Sequence, residues 1–67
     1  MAGNIKNNVL VFREKKGVTQ EGLAKAVGVT RQSIISIERE NCIPSVFLAL
    51  KISKYFGVRV EEVFELL

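Results

Sequence analysis

Two segments with helical apolar spacing, residues 20–27 and 31–39, are separated only by Gly28-Val29-Thr30. This connection constrains the fold more than any other feature. Three residues cannot turn two helices back side by side, so the helices must cross steeply. Leu23, Ala24 and Val27 form the inner stripe of the first segment. In the second, Ile34, Ile37 and Glu38 point one way, and Arg31, Gln32, Ile35 and Ser36 point mostly the other. A close crossing needs a small residue at the contact, and Ala24 is placed for it. Gly28 reverses the backbone without a Cβ penalty. Val29 and Ile34 fill the angle. Counted from Gln20, the small residue is fifth, the glycine ninth and Ile34 fifteenth. Any one of these means little, but their joint spacing is specific. Thr19 and Thr30 stand where N-caps belong.

The flanking sequence continues in short helices. One spans about Asn8 to Lys16, capped by Asn7 or Asn8, with Val9, Phe12, Arg13 and Lys16 on one face. Pro44 and Ser45 announce another, to about Phe56, with Val46, Ala49, Ile52, Ser53 and Phe56 inward. A fifth covers about Val60 to Glu65. Gly17 and Gly57 follow apolar-periodic segments, as C′ residues do. No period-two run demands a strand, although Ile5 and its neighbours suit a short edge strand. Residues 1–67 therefore read as one all-α, five-helix bundle.

A chain of 67 residues leaves room for a single small core, which buries only ~60% of the unfolded surface. Cys42 is the one cysteine, so no internal disulfide is available. There is no His and no Asp, and all seven acidic residues are Glu. That removes His-dependent triads, His/Cys zinc sites and Asp-rich calcium loops. An enzyme is not expected, nor a metal or cofactor. No apolar run reaches the ~20 residues of a membrane span, and Met1 to Asn8 is polar, without a signal-peptide core; a cytoplasmic location is expected. The net charge of +3 is unevenly spread: residues 1–31 carry six basic and two acidic side chains, residues 32–67 four and five. That asymmetry suits a polyanion approached from one side.

The run from Thr19 to Glu38 closely resembles the phage-repressor/Cro-like helix-turn-helix family of transcriptional regulators. The resemblance continues through Pro44-Ser45, Leu50-Lys51-Ile52 and Phe56-Gly57-Val58 to Glu61-Glu62-Val63-Phe64, nearly the whole chain. It implies a lambda-repressor-like fold with the helix-turn-helix at about 19–39 and residues 30–39 as the recognition helix in the major groove of double-stranded DNA. Arg31, Gln32, Ser33 and Ser36 would then meet base edges: Arg31 has the fork that pairs with guanine, and Gln32 can bond adenine in bidentate fashion. Gln20 would grip a phosphate at a helix N-terminus and brace a recognition-helix side chain. Lys25, Arg39, Asn41 and Ser45 are further candidate phosphate contacts, which set position rather than sequence preference. The family pairs the positions of Arg13 and Glu38 in an inward salt bridge. The bland alternative is a pair of separate surface charges.

Several residues depart from that family. Gly22 stands where Glu is common, so Thr19 lacks the reciprocal half of a capping box; Gly22→Glu is expected to raise stability. The loop Arg39-Glu40-Asn41-Cys42-Ile43 lacks the usual glycine and lysine. Leu10, Val11 and Phe47 replace polar residues, and the chain ends in Leu66-Leu67. These extras suggest an interface: a homodimer through Leu10, Val11, Phe64, Leu66 and Leu67, reading two halves of a near-palindromic operator as a repressor. The rival readings are an antitoxin, whose extra apolar residues meet an unidentified protein partner, and an interaction bundle that has lost DNA binding.

Overall fold

The computed structural model describes residues 5–67; residues 1–4, the start of the polar N-terminal segment, lie outside it. The order is β1 (Ile5–Asn7), α1 (Val9–Lys16), α2 (Gln20–Val27), α3 (Arg31–Glu38), α4 (Val46–Phe56), α5 (Val60–Val63) and β2 (Phe64–Leu66). Val9, Leu23, Ala24, Val27, Ile34, Ile37, Ile52 and Val63 form the buried core. Each helix contributes to it. The short connection between α2 and α3 works as the residue pattern requires. Ala24 is buried at the crossing, and Gly28 takes the left-handed conformation at φ 79°.

The helix ends follow local chemistry. The hydroxyls of Thr19, Thr30 and Ser45 accept the backbone N–H three residues on, capping α2, α3 and α4. Asn8 is the N-cap of α1 but its side chain makes no cap bond; the Asn7 Oδ1 accepts the Val9 N–H at 3.2 Å. Gly17 and Gly57 close α1 and α4 in left-handed backbone. The end of α3 adopts the same reversal without a glycine. Glu40 sits at φ 62°, its N–H donating to the Ile37 carbonyl and that of Asn41 to the Ser36 carbonyl. This is the Schellman pattern, with Glu where Gly is strongly preferred. A left-handed residue with a Cβ costs roughly 1–2 kcal/mol, and Gly gives back about half of that through chain entropy. Glu40→Gly is therefore expected to stabilise the domain by about 0.5–1 kcal/mol, seen as a higher melting temperature. A lower one would show that the Glu40 side chain contributes something its backbone does not reveal.

Three expectations require correction. First, α5 is one turn long and does not reach Glu65. From Phe64 the chain is extended, and β2 pairs antiparallel with β1, Ile5 against Leu66 and Asn7 against Phe64. The edge strand at Ile5 thus has a partner from the far end of the chain. Asn8 secures the join: its N–H donates to the Val63 carbonyl at 2.7 Å, and its Nδ2 to the Glu62 carbonyl at 3.0 Å. Second, Val46 is not inward; it is 76% exposed. Leu48 and Tyr55 pack against the core with Phe56 instead. Third, Gly22 is not a free site for a larger residue. A Cβ there would lie 3.0 Å from Val18 Cγ1 and 3.2 Å from Thr19 Oγ1. The ~1 kcal/mol of helix propensity gained over Gly is opposed by a stiff β-branched neighbour and by the cap oxygen, which must hold its place. Gly22→Ala and Gly22→Glu are expected to melt at or below the wild-type temperature; a rise of several degrees would show that Val18 yields.

Candidate nucleic-acid interface

The α3 helix has two unlike sides. Ile34 and Ile37 are fully buried, which fixes its rotation about its own axis. Arg31 and Gln32 are consequently exposed at its N-terminal turn, with Ser33 and Ser36 half-buried beside them. The Ser33 hydroxyl lies 3.0 Å from that of Thr30, so Ser33 is partly engaged in the cap. The side that carries hydrogen-bonding groups faces outward.

The C-terminal end of α3 is anchored by a buried network. Arg13 Nε donates to Glu38 Oε2 at 2.8 Å, and Arg13 Nη2 to Glu38 Oε1 at 3.3 Å. Arg13 Nη1 donates to the Val18 carbonyl at 3.1 Å, and Gln20 Nε2 to Glu38 Oε1 at 3.0 Å. The two charged side chains are only 13% and 9% exposed. Bidentate pairing offsets desolvation of both charges and also holds direction. One carboxylate thus ties α3 to α1 and to the first turn of α2. Gln20 braces α3 at Glu38, leaving its carbonyl oxygen and one amide hydrogen free.

A second anchor was not visible in the sequence pattern. Asn7 Nδ2 donates to the Ile37 carbonyl at 2.8 Å across 30 residues. The β1–β2 pairing thereby supports the end of the outward-facing helix. No local spacing announces such a bond, because both partners depend on the tertiary fold.

The remaining candidate residues surround α3. Arg39 follows its last turn and is exposed, as are Asn41 and Ser45. Ser45 leads into α4, and its hydroxyl is occupied by the Leu48 N–H at 3.1 Å. Lys25 is 80% exposed and lies 4.0 Å from Glu21 on the same helix, a contact worth little at that exposure. Leu10 borders an open cleft with Arg13, Gln20, Arg31, Ile35, Glu38 and Arg39, so α1 lies against the same side as the recognition residues. Among the described residues no helix is long and apolar enough to cross a membrane, and no group of three His, Cys, Asp or Glu could hold a metal ion.

Apolar surface is more extensive than the residue pattern suggested. Leu10 and Val11 are about half exposed, and Leu66 and Leu67 more so. Phe64 is half-buried and packs against the core. Ile43, Val46, Phe47 and Leu50 are also exposed. Ile43 lies in the preceding loop, and the three- and four-residue spacing of Val46, Phe47 and Leu50 marks one face of α4. It was readable as a stripe but is indistinguishable by periodicity from a buried one.

The helix-turn-helix family pattern matches residues 11–63. An uncharacterized HTH-type transcriptional regulator of Methanocaldococcus jannaschii is 48% identical over 60 residues, covering 90% of this chain and 91% of the relative. The uncharacterized HTH-type transcriptional regulator YgzD of Bacillus subtilis is 47% identical over the same share of both chains. Among solved structures, the restriction-modification controller protein C.AhdI from Aeromonas hydrophila superposes with a TM-score of 0.75 at 28% identity, over 81% of this chain and 82% of that one. A Bacteroides fragilis protein superposes at 0.82 over 91% of this chain and 98% of its own; at 20% identity it speaks for the fold alone. The family is one of regulators, not enzymes. The crossing at Ala24, the reversal at Gly28, the buried Arg13–Glu38 pair and relatives nearly half identical along most of the chain converge: the chain belongs to the phage-repressor/Cro-like helix-turn-helix family of transcriptional regulators.

Proposed function

We propose that this protein occupies a near-palindromic operator as a homodimer and represses transcription by excluding polymerase. In this reading α3 lies in the major groove, Arg31, Gln32, Ser33 and Ser36 meet base edges, and Gln20, Lys25, Arg39, Asn41 and Ser45 line the phosphate backbone. The carrying observation is the outward Arg31-Gln32 turn on a helix whose rotation and far end are both fixed. Binding then requires no reordering of the reading face, which preserves affinity. Occupancy of the operator is the simplest route to regulation, and it fits a cytoplasmic protein.

Dimerisation is supported by the exposed apolar residues and by size. Each domain measures 32 × 23 × 20 Å. Two side by side suit recognition helices ~34 Å apart, one turn of B-DNA. The surface includes Leu10, Val11, Leu66 and Leu67, with the exposed edge of Phe64. Selection from random duplex oligonucleotides, followed by sedimentation with and without the selected site, tests the reading. A two-fold symmetric site bound by two chains is expected. An asymmetric site bound by one chain would remove the dimer, and no enrichment at low salt would remove DNA binding.

A further inference from the structure

We propose that Ile35 is a specificity-determining residue that reads the 5-methyl group of thymine, an inference that rests on the DNA-binding reading above. Arg31, Ile35 and Arg39 recur at four-residue spacing along one ridge of α3 and its C-terminal cap. Ile35 is half-buried between two exposed guanidinium side chains, and it lines the open cleft with Leu10 of α1. It is absent from the core, and so is Leu10: neither belongs to the buried cluster or to the side chains packed against it. Packing therefore does not account for an isoleucine here.

Helix propensity does not account for it either. A β-branched side chain is a weaker helix former than the unbranched polar residues that would suit a solvated position. What isoleucine offers at this place is aliphatic surface without hydrogen-bonding groups. On the floor of the major groove, the apolar feature that such a surface can distinguish is the thymine methyl. Gln32 and Ser36 flank Ile35 and can bond the adenine edge, so one A·T step would satisfy all three side chains. Arg31 and Arg39 hold the ridge to the polyanion on either side. Taking a methyl group out of water there stabilises the complex without any new polar contact.

The test uses the selected duplex with each thymine replaced in turn by deoxyuridine, which deletes the methyl group alone. Wild-type protein, Ile35→Ala and Ile35→Val are compared by equilibrium binding. At one thymine or more per half-site, the uracil duplex should bind wild type roughly four-fold more weakly, the worth of one buried methyl group. Ile35→Ala should bind the two duplexes within about two-fold of each other, while Ile35→Val keeps most of the discrimination. Ile35→Ser, which carries no methyl group, serves the same comparison should the alanine variant melt early. Wild-type binding indifferent to the methyl group at every position overturns the inference, as does undiminished discrimination by Ile35→Ala. In the latter case the Leu10–Ile35 cleft faces something other than the bases. Failure to select any duplex overturns the DNA-binding reading itself, and the inference with it.

Discussion

Arg13→Ala is expected to lower the unfolding free energy by about 3–5 kcal/mol, because it leaves the Glu38 carboxylate buried with only Gln20 as a partner. A domain of this length has a total stability of about 3–10 kcal/mol. The variant should therefore be marginal at room temperature, melting some tens of degrees below wild type. The loss has three parts. Glu38 loses its counter-charge and two charge-assisted hydrogen bonds, the Val18 carbonyl loses its Nη1 donor, and the long aliphatic stem of Arg13 leaves a void. Arg13→Met with Glu38→Leu separates charge from packing. Replacing a buried pair by apolar residues of similar volume is often neutral, so the double variant should recover more than half of the loss. It should not recover all of it, since Gln20 and the Val18 carbonyl must then find water. Melting followed by circular dichroism measures both. A loss below about 1 kcal/mol for Arg13→Ala would place the pair among ordinary surface ion pairs and remove the anchor assigned to α3.

That pair also marks how far residue order alone can reach. Charges at Arg13 and Glu38 on apolar faces are anomalies a sequence displays openly, because an unpaired charge there is costly. Threonine before a helix and glycine after one are equally open, since the backbone geometry they serve is local. The α2–α3 crossing is legible for the same reason: three residues leave few ways to connect two helices. The β1–β2 pairing is not local. Strands of three residues carry too few side chains for a period of two to register, and Phe64 follows helical spacing from Val60, so extending α5 is the natural expectation. Its extended backbone is set by partners nearly sixty residues away, at Asn7 and Asn8. Val46 fails differently: one side of α4 is apolar all the way out to Phe47 and Leu50, so periodicity cannot say which apolar row is inward. At the interface, exposure of Arg31 and Gln32 follows from the buried Ile34 and Ile37, and was predictable. The clasp of Asn7 on Ile37 was not.

Arg31→Ala is expected to weaken operator binding by ~1–3 kcal/mol per half-site, hence by ~2–6 kcal/mol, about thirty-fold to more than ten-thousand-fold, for a dimer on both halves. The effect should concentrate at one base position in each half, where the preference for guanine relaxes. Stability should move by no more than ~0.5 kcal/mol, since Arg31 is exposed and is not part of the buried core. Two comparisons decide whether the guanidinium reads a base or holds a phosphate. Arg31→Lys keeps the charge but loses the planar fork, so it should retain most non-specific affinity and lose the base preference. Lys25→Ala should instead weaken all sequences alike and lower the salt dependence by about one counterion per contact removed. Titrations of selected and scrambled duplexes at several salt concentrations separate these patterns. If Arg31→Ala lowers affinity equally for both duplexes, Arg31 belongs to the backbone contacts. Base recognition would then fall to Gln32 and Ser36 on the neighbouring row of α3.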